Sequence, residues 1–79
     1  MVVKTIYYDA SGDIDEVVYK ALKPNAYFHW LKCLKEEYPN YRETDDSEIT
    51  FYQDEELKEE YCRVEVISIS HTNFNLRGL

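Results

Sequence analysis

The sequence predicts a small α+β domain, a three- or four-stranded antiparallel sheet with one helix, about residues 26–38, packed on one face. Three observations lead there. A β-branched and aromatic run, Val2 to Tyr8, is followed at once by turn residues. Large apolar side chains then recur at helical spacing from Tyr27 to Tyr38, between two prolines. Strand-like alternation returns at residues 48–52 and again at 62–70. Seventy-nine residues with only two glycines and two prolines read as one ordered domain spanning 1–79. A chain of this length buries about 60–65% of the surface its unfolded form exposes, so its core is thin.

The elements follow in order. Val-Val-Lys-Thr-Ile-Tyr-Tyr (2–8) suits a pleated, half-buried strand. Asp9-Ala10-Ser11-Gly12-Asp13 is turn chemistry, with Gly12 free to take positive φ. Residues 14–22 fit two patterns. Ile14, Val17, Val18, Ala21 and Leu22 share one face of a helix, and Asp13 with Glu16 resembles a capping box. The turn signal and the pair Val17-Val18 favour a strand closing a hairpin instead. Pro24-Asn25 marks a helix start, with Asn25 as the expected cap. Tyr27, Trp30, Leu31, Leu34 and Tyr38 form the expected core stripe, and Pro39 ends it, because the residue before a proline avoids helical geometry.

Residues 40–47 are polar and acidic and read as a loop. Glu48-Ile49-Thr50-Phe51-Tyr52 alternates as a strand. Residues 53–60 form a long hairpin tip or one helical turn. From Cys62 to Ser70, Val64 and Val66 face one way while Ile67 and Ile69 face the other, which predicts a bulge near Val66 or burial on both sides. Phe74 and Leu76 are docking candidates in the tail, and residues 77–79 are expected to fray.

Charge is the feature that bears on function. Between Glu36 and Glu60 there are eleven acids against Arg42 and Lys58, a net −9, so the remaining residues carry +2 and the chain −7. Tyr38, Tyr41, Phe51, Tyr52 and Tyr61 are threaded through the same stretch. A net charge of this size is ordinary for solubility. Its segregation is not, since concentrating like charge costs self-repulsion. Such a surface attracts a basic partner and repels nucleic acid and anionic lipid.

The expected partner is therefore a basic protein, with a nucleic-acid-binding protein the specific candidate and no direct binding to nucleic acid or membrane. The expected interface is Glu43, Asp45, Asp46, Glu48, Asp54, Glu55, Glu56, Glu59 and Glu60, with Tyr52 and Tyr61 as aromatic anchors. The favoured type is an inhibitor standing where phosphates would, as phage- or mobile-element-encoded antagonists do. The alternative is an immunity- or antitoxin-like subunit of a complex. Asp54, Glu55 and Glu56 occupy no expected core position, so neutralising the three together is expected to leave folding intact.

Catalysis and cofactors find little support. Two glycines cannot form a phosphate-binding loop. His29, Cys33, Cys62 and His71 are a possible zinc set, but no two cysteines are close in sequence as in a zinc finger. Neither cysteine is marked as a nucleophile, and Glu59, Glu60 and Glu65 around Cys62 would raise its pKa. The expectation is a non-enzymatic protein without metal or cofactor. The absence of a signal-peptide pattern, of a long apolar run and of dense cysteines predicts a cytoplasmic chain with free thiols.

Overall fold

The structure, a computed structural model, describes residues 1–45 and 47–68. It contains strands β1 (Val2–Tyr8) and β2 (Ile14–Ala21), helix α1 (Pro24–Glu37), and strands β3 (Asn40–Asp45), β4 (Glu48–Tyr52) and β5 (Glu60–Ser68). The α+β class with one helix among the described residues is as expected, but the sheet they form has five strands, in the order β2-β1-β5-β4-β3. All four pairings are antiparallel. The additional strand is β3, read from sequence as an acidic loop. It forms because Tyr41 and Arg42 pair with Phe51 and Thr50 across a short turn, a tertiary gain that overrides its poor strand composition. Residues 14–21 are a strand, as the turn signal favoured.

Register divides the sheet into two faces. Val3, Thr5 and Tyr7 lie opposite Val66, Val64 and Cys62, and Val64 and Cys62 lie opposite Ile49 and Phe51. This face receives α1, whose Tyr27 and Leu31 complete the core, with Trp30, Leu34 and Tyr38 packed at its margin. The other face carries Lys4, Ile6, Thr50, Arg63 and Glu65 by the same alternation. Ile6, Thr50 and Tyr52 are nonetheless buried, so β4 is covered on both sides rather than alternating in and out. Arg63 stands between Ile6 and Thr50 in the register, and its own Nε is shut off from water there.

The helix starts differently from its expected cap. Pro24 occupies the first turn after Lys23, and no side chain caps the N-terminus. A proline there loses nothing, because its missing N–H would have had no helical partner. At the other end Tyr38 N–H donates to the Leu34 carbonyl, and Pro39 stops the helix. In β5 the register shifts opposite Val2–Val3, which is the bulge foreseen near Val66. Ile69, Phe74, Leu76 and residues 77–79 lie outside the described residues.

Candidate acidic interface

Two loops and the helix end meet at one end of the sheet. The antiparallel pairing of Tyr7 with Cys62 brings the β1–β2 turn beside the β4–β5 loop. Tyr38, immediately after α1, stacks on Tyr61 with centroids 4.1 Å apart, and Tyr7 meets the Tyr61 ring edge-on at 5.7 Å. This tyrosine cluster ties helix end, β1 and β5 together. Burial first, and hydrogen bonding with Tyr38 second, hold the Tyr61 phenol well above the usual tyrosine range, so it stays neutral.

Each loop is organised by one aspartate. Asp9 Oδ1 accepts from the backbone N–H of Ser11 at 2.9 Å and of Asp13 at 3.0 Å, and Gly12 takes φ 87°. Asp54 Oδ1 accepts from the N–H groups of Lys58 and Glu59, each at 2.9 Å, while Leu57 takes φ 58°. The Glu59 N–H, with that of Lys58, holds the Asp54 carboxyl below the usual aspartate value. Asp54 is thus a loop-building residue. Neutralising it with Glu55 and Glu56, expected from sequence to leave folding intact, would weaken a backbone cap, because an amide keeps one accepting oxygen but loses the second and the charge.

What the loops present is negative charge. Glu55, Glu56 and Glu59 are exposed, as are Asp13 on the facing turn and Glu36 and Glu37 just before Tyr38. Lys58 contributes one base and lies 3.6 Å from Glu56. Between the two loops is a cleft of about 230 Å³ lined by Asp9, Ser11, Gln53, Lys58, Glu59 and Glu60 among others. Glu36 and Glu37 also stand at the negative end of the helix dipole, where acids are locally unfavourable.

The sequence-expected interface does not stay together. Glu43 and Glu48 lie toward the far end of β3 and β4, and both are paired. Glu43 meets Lys35 at 3.1 Å, with that ammonium also 5.0 Å from the Tyr41 ring. Glu48 faces Glu65 directly across the strands, a repulsive arrangement that Arg63 relieves. Arg63 Nε lies 3.3 Å from Glu48 and 3.1 Å from Glu65. It makes no hydrogen bond of good geometry, so its attraction to the two acids is chiefly Coulombic. Asp45 ends β3, and Asp46 lies outside the described residues. Of the expected anchors, Tyr52 is buried on the face away from α1 and Tyr61 is taken up by its stack, so both serve the frame.

The sequence reading left Asp13, Glu36 and Glu37 out of the interface. Glu36 and Glu37 belong to the acidic stretch by composition, whereas Asp13 lies outside it and its segment carried no signal. Asp13 joins through the pairing of β1 with β5, a contact between residues some sixty positions apart, and Glu36 and Glu37 through the stack of Tyr38 on Tyr61.

The possible zinc set is dispersed as far as it is described. Cys33 Sγ is 3.8 Å from His29 Nε2 on the exposed side of α1. Cys62 is fully buried in the core, where burial pushes its thiol up to about 12. His71 lies outside the described residues, and among those described no three His, Cys, Asp or Glu side chains are grouped to hold a metal. A cavity of about 470 Å³ lies on the helix side. Its apolar lining includes Tyr27, Phe28, Leu31 and Ile49, with Lys35 and Glu43 also present. Among the described residues no helix is long and apolar enough to cross a membrane.

Searches of protein families, of curated proteins and of solved structures find no match to this chain.

Proposed function

We propose that this protein is a non-enzymatic interaction module that binds a basic macromolecular surface through the acidic loop end of its sheet. The nucleic-acid-binding face of a protein is the partner surface that fits best. The observation that supports this is convergence. Acids from the β1–β2 turn, the end of α1 and the β4–β5 loop are held at one end, with Lys58 the one base among them on these loops. Solubility does not require that arrangement, and Glu36 and Glu37 occupy it at some cost to the helix. Rigid flanking strands and the tyrosine cluster fix the loops, which limits the entropy lost on binding.

The test uses Glu55→Gln, Glu56→Gln and Glu59→Gln combined, leaving Asp54 in place. Partners captured from a lysate by the wild-type chain are identified, and their binding is then measured with purified components. The triple variant is expected to associate more slowly and to show a flatter salt dependence, because rim charges act mainly on encounter. Duplex DNA or RNA should displace the protein if it occupies a nucleic-acid site, and should not if it binds elsewhere as an ordinary subunit. An affinity indifferent to both the triple change and ionic strength, between roughly 50 and 500 mM, would leave the acids a solvation role alone.

A further inference from the structure

The two edges of the sheet are not equivalent. β3 is six residues long and bulged between Glu43 and Asp45. β2 has eight residues, no proline, and no strand on its outer side among the described residues. Val17 and Tyr19 on that strand are 41% and 62% exposed. The register of β2 with β1 shifts at Asp15, and from Glu16 to Ala21 the strand is an exposed, regular edge with apolar side chains, a template for another strand of the kind soluble proteins ordinarily blunt.

The order of residues along β2 says which strand fits. Glu16, Val18 and Lys20 lie opposite Tyr7, Thr5 and Val3, and so point to the helix side of the sheet. Val17 and Tyr19 lie opposite Ile6 and Lys4 on the other side. A second β2 laid antiparallel about a two-fold axis at Val18 would bring Val18 against Val18. Glu16 of each copy would then stand opposite Lys20 of the other, and Val17 opposite Tyr19. Residues directly opposite in an antiparallel pair share a face, so every pairing is between side chains already on the same side. The flanks agree in sign, since Asp13 precedes the strand and Lys23 follows it. The same operation centred on Arg42 of β3 sets Tyr41 against Glu43 and makes no ion pair. Opposite charges and an aromatic–β-branched contact are the pairs that stabilise adjacent strands.

We infer that the outer edge of β2 is a self-association surface, at which a second copy of this chain pairs antiparallel through Glu16–Lys20 to give one continuous ten-stranded sheet. The symmetry is isologous and closes at two copies. This inference is independent of the acidic-end proposal, and the two residues that test it, Glu16 and Lys20, take no part in that proposal.

Sedimentation equilibrium of the full chain tests it, with Glu16→Lys, Lys20→Glu, and the double swap in one chain. Each single change turns two attractive pairs into two repulsive ones, and should weaken dimerisation about ten- to thirtyfold. The double swap should restore it. An equimolar mixture of the two single variants should form the heterodimer, because their strands are complementary only to each other. A general effect of net charge behaves differently: Glu16→Lys makes the chain less acidic and Lys20→Glu more, so it would move the two variants in opposite directions. Should either reversal impair folding by circular dichroism, Glu16→Gln and Lys20→Gln replace them, with a several-fold loss expected from each. A wild-type chain that stays monomeric up to about 1 mM overturns the inference. So do single variants that dimerise like wild type, or a mixture that fails to recover association.

Discussion

The β1–β2 turn and the β4–β5 loop lie side by side and are built on the same plan, yet they use different residues at the strained position. Each folds around an aspartate that accepts two or more backbone N–H groups, Asp9 in one and Asp54 in the other. Each needs one residue at positive φ. The first loop places Gly12 there, where no side chain opposes the conformation, and the second places Leu57. A leucine in the left-handed region costs roughly 1–2 kcal/mol that glycine would not. The β4–β5 loop is also the richer in acids. One loop is relaxed, while its neighbour carries both backbone strain and charge density.

The comparison can be broken most severely by removing what holds the loops together. Tyr61→Ala deletes the stack on Tyr38 and the edge contact with Tyr7, and is expected to cost about 2–4 kcal/mol in chemical denaturation. Tyr61→Phe keeps the rings and should cost only about 1 kcal/mol, the hydroxyl's hydrogen bond. A Tyr61→Ala chain as stable as wild type would show that strand pairing alone fixes the loops.

A pair of substitutions sharpens the comparison. Gly12→Ala should destabilise by about 1–2 kcal/mol through φ alone, because a Cβ there meets nothing within 4 Å. Leu57→Gly, by contrast, should be neutral or stabilising by up to about 1 kcal/mol, the relief of φ being offset by glycine's added unfolded-state entropy and the lost side-chain contact. Equal and unfavourable effects from both would mean that Leu57 packs well enough to justify its conformation.

A smaller effect, confined to acid, separates the two carboxylate caps by pH. With its carboxyl held below the usual value in the fold, Asp54 contributes fully above the ordinary aspartate range. That contribution is lost as pH falls through the lowered folded value. Thermal melting of Asp54→Asn should therefore fall below wild type at neutral pH and converge on it in strong acid. A constant difference at every pH would show that ionisation of this carboxyl contributes nothing to stability.

Much of the fold was legible in local sequence, and the reasons are specific. Gly12 after Asp9 announced the first hairpin, and the two prolines bracketed the helix whose Tyr27 and Leu31 enter the core. β3 was missed because Asn40–Asp45 is a poor strand by composition and is stabilised only by lying against β4. The burial of Tyr52 was missed because alternation assumes that one face of a strand is wet. Here Thr50 and Tyr52 are buried like Ile49 and Phe51, so neither face of β4 is wet.

By itself the sequence determined the types of β1, α1, β4 and β5, the helix limits to within two residues, and the concentration of acid between Glu36 and Glu60. Those properties follow from neighbouring residues, through backbone preference, side-chain period and covalent proximity. Only the tertiary structure decided which acids share a surface. Antiparallel pairing sends successive loops to opposite ends of a sheet, so one acidic stretch is divided along β4. Glu43 and Glu48 go to cationic partners, while Glu55 and Glu59 go to the loop end. The pairing of β1 with β5 then brings Asp13 to that end from far away in the chain. Strand pairing is a contact between distant segments whose register depends on which faces can be buried together, and no local window contains both partners.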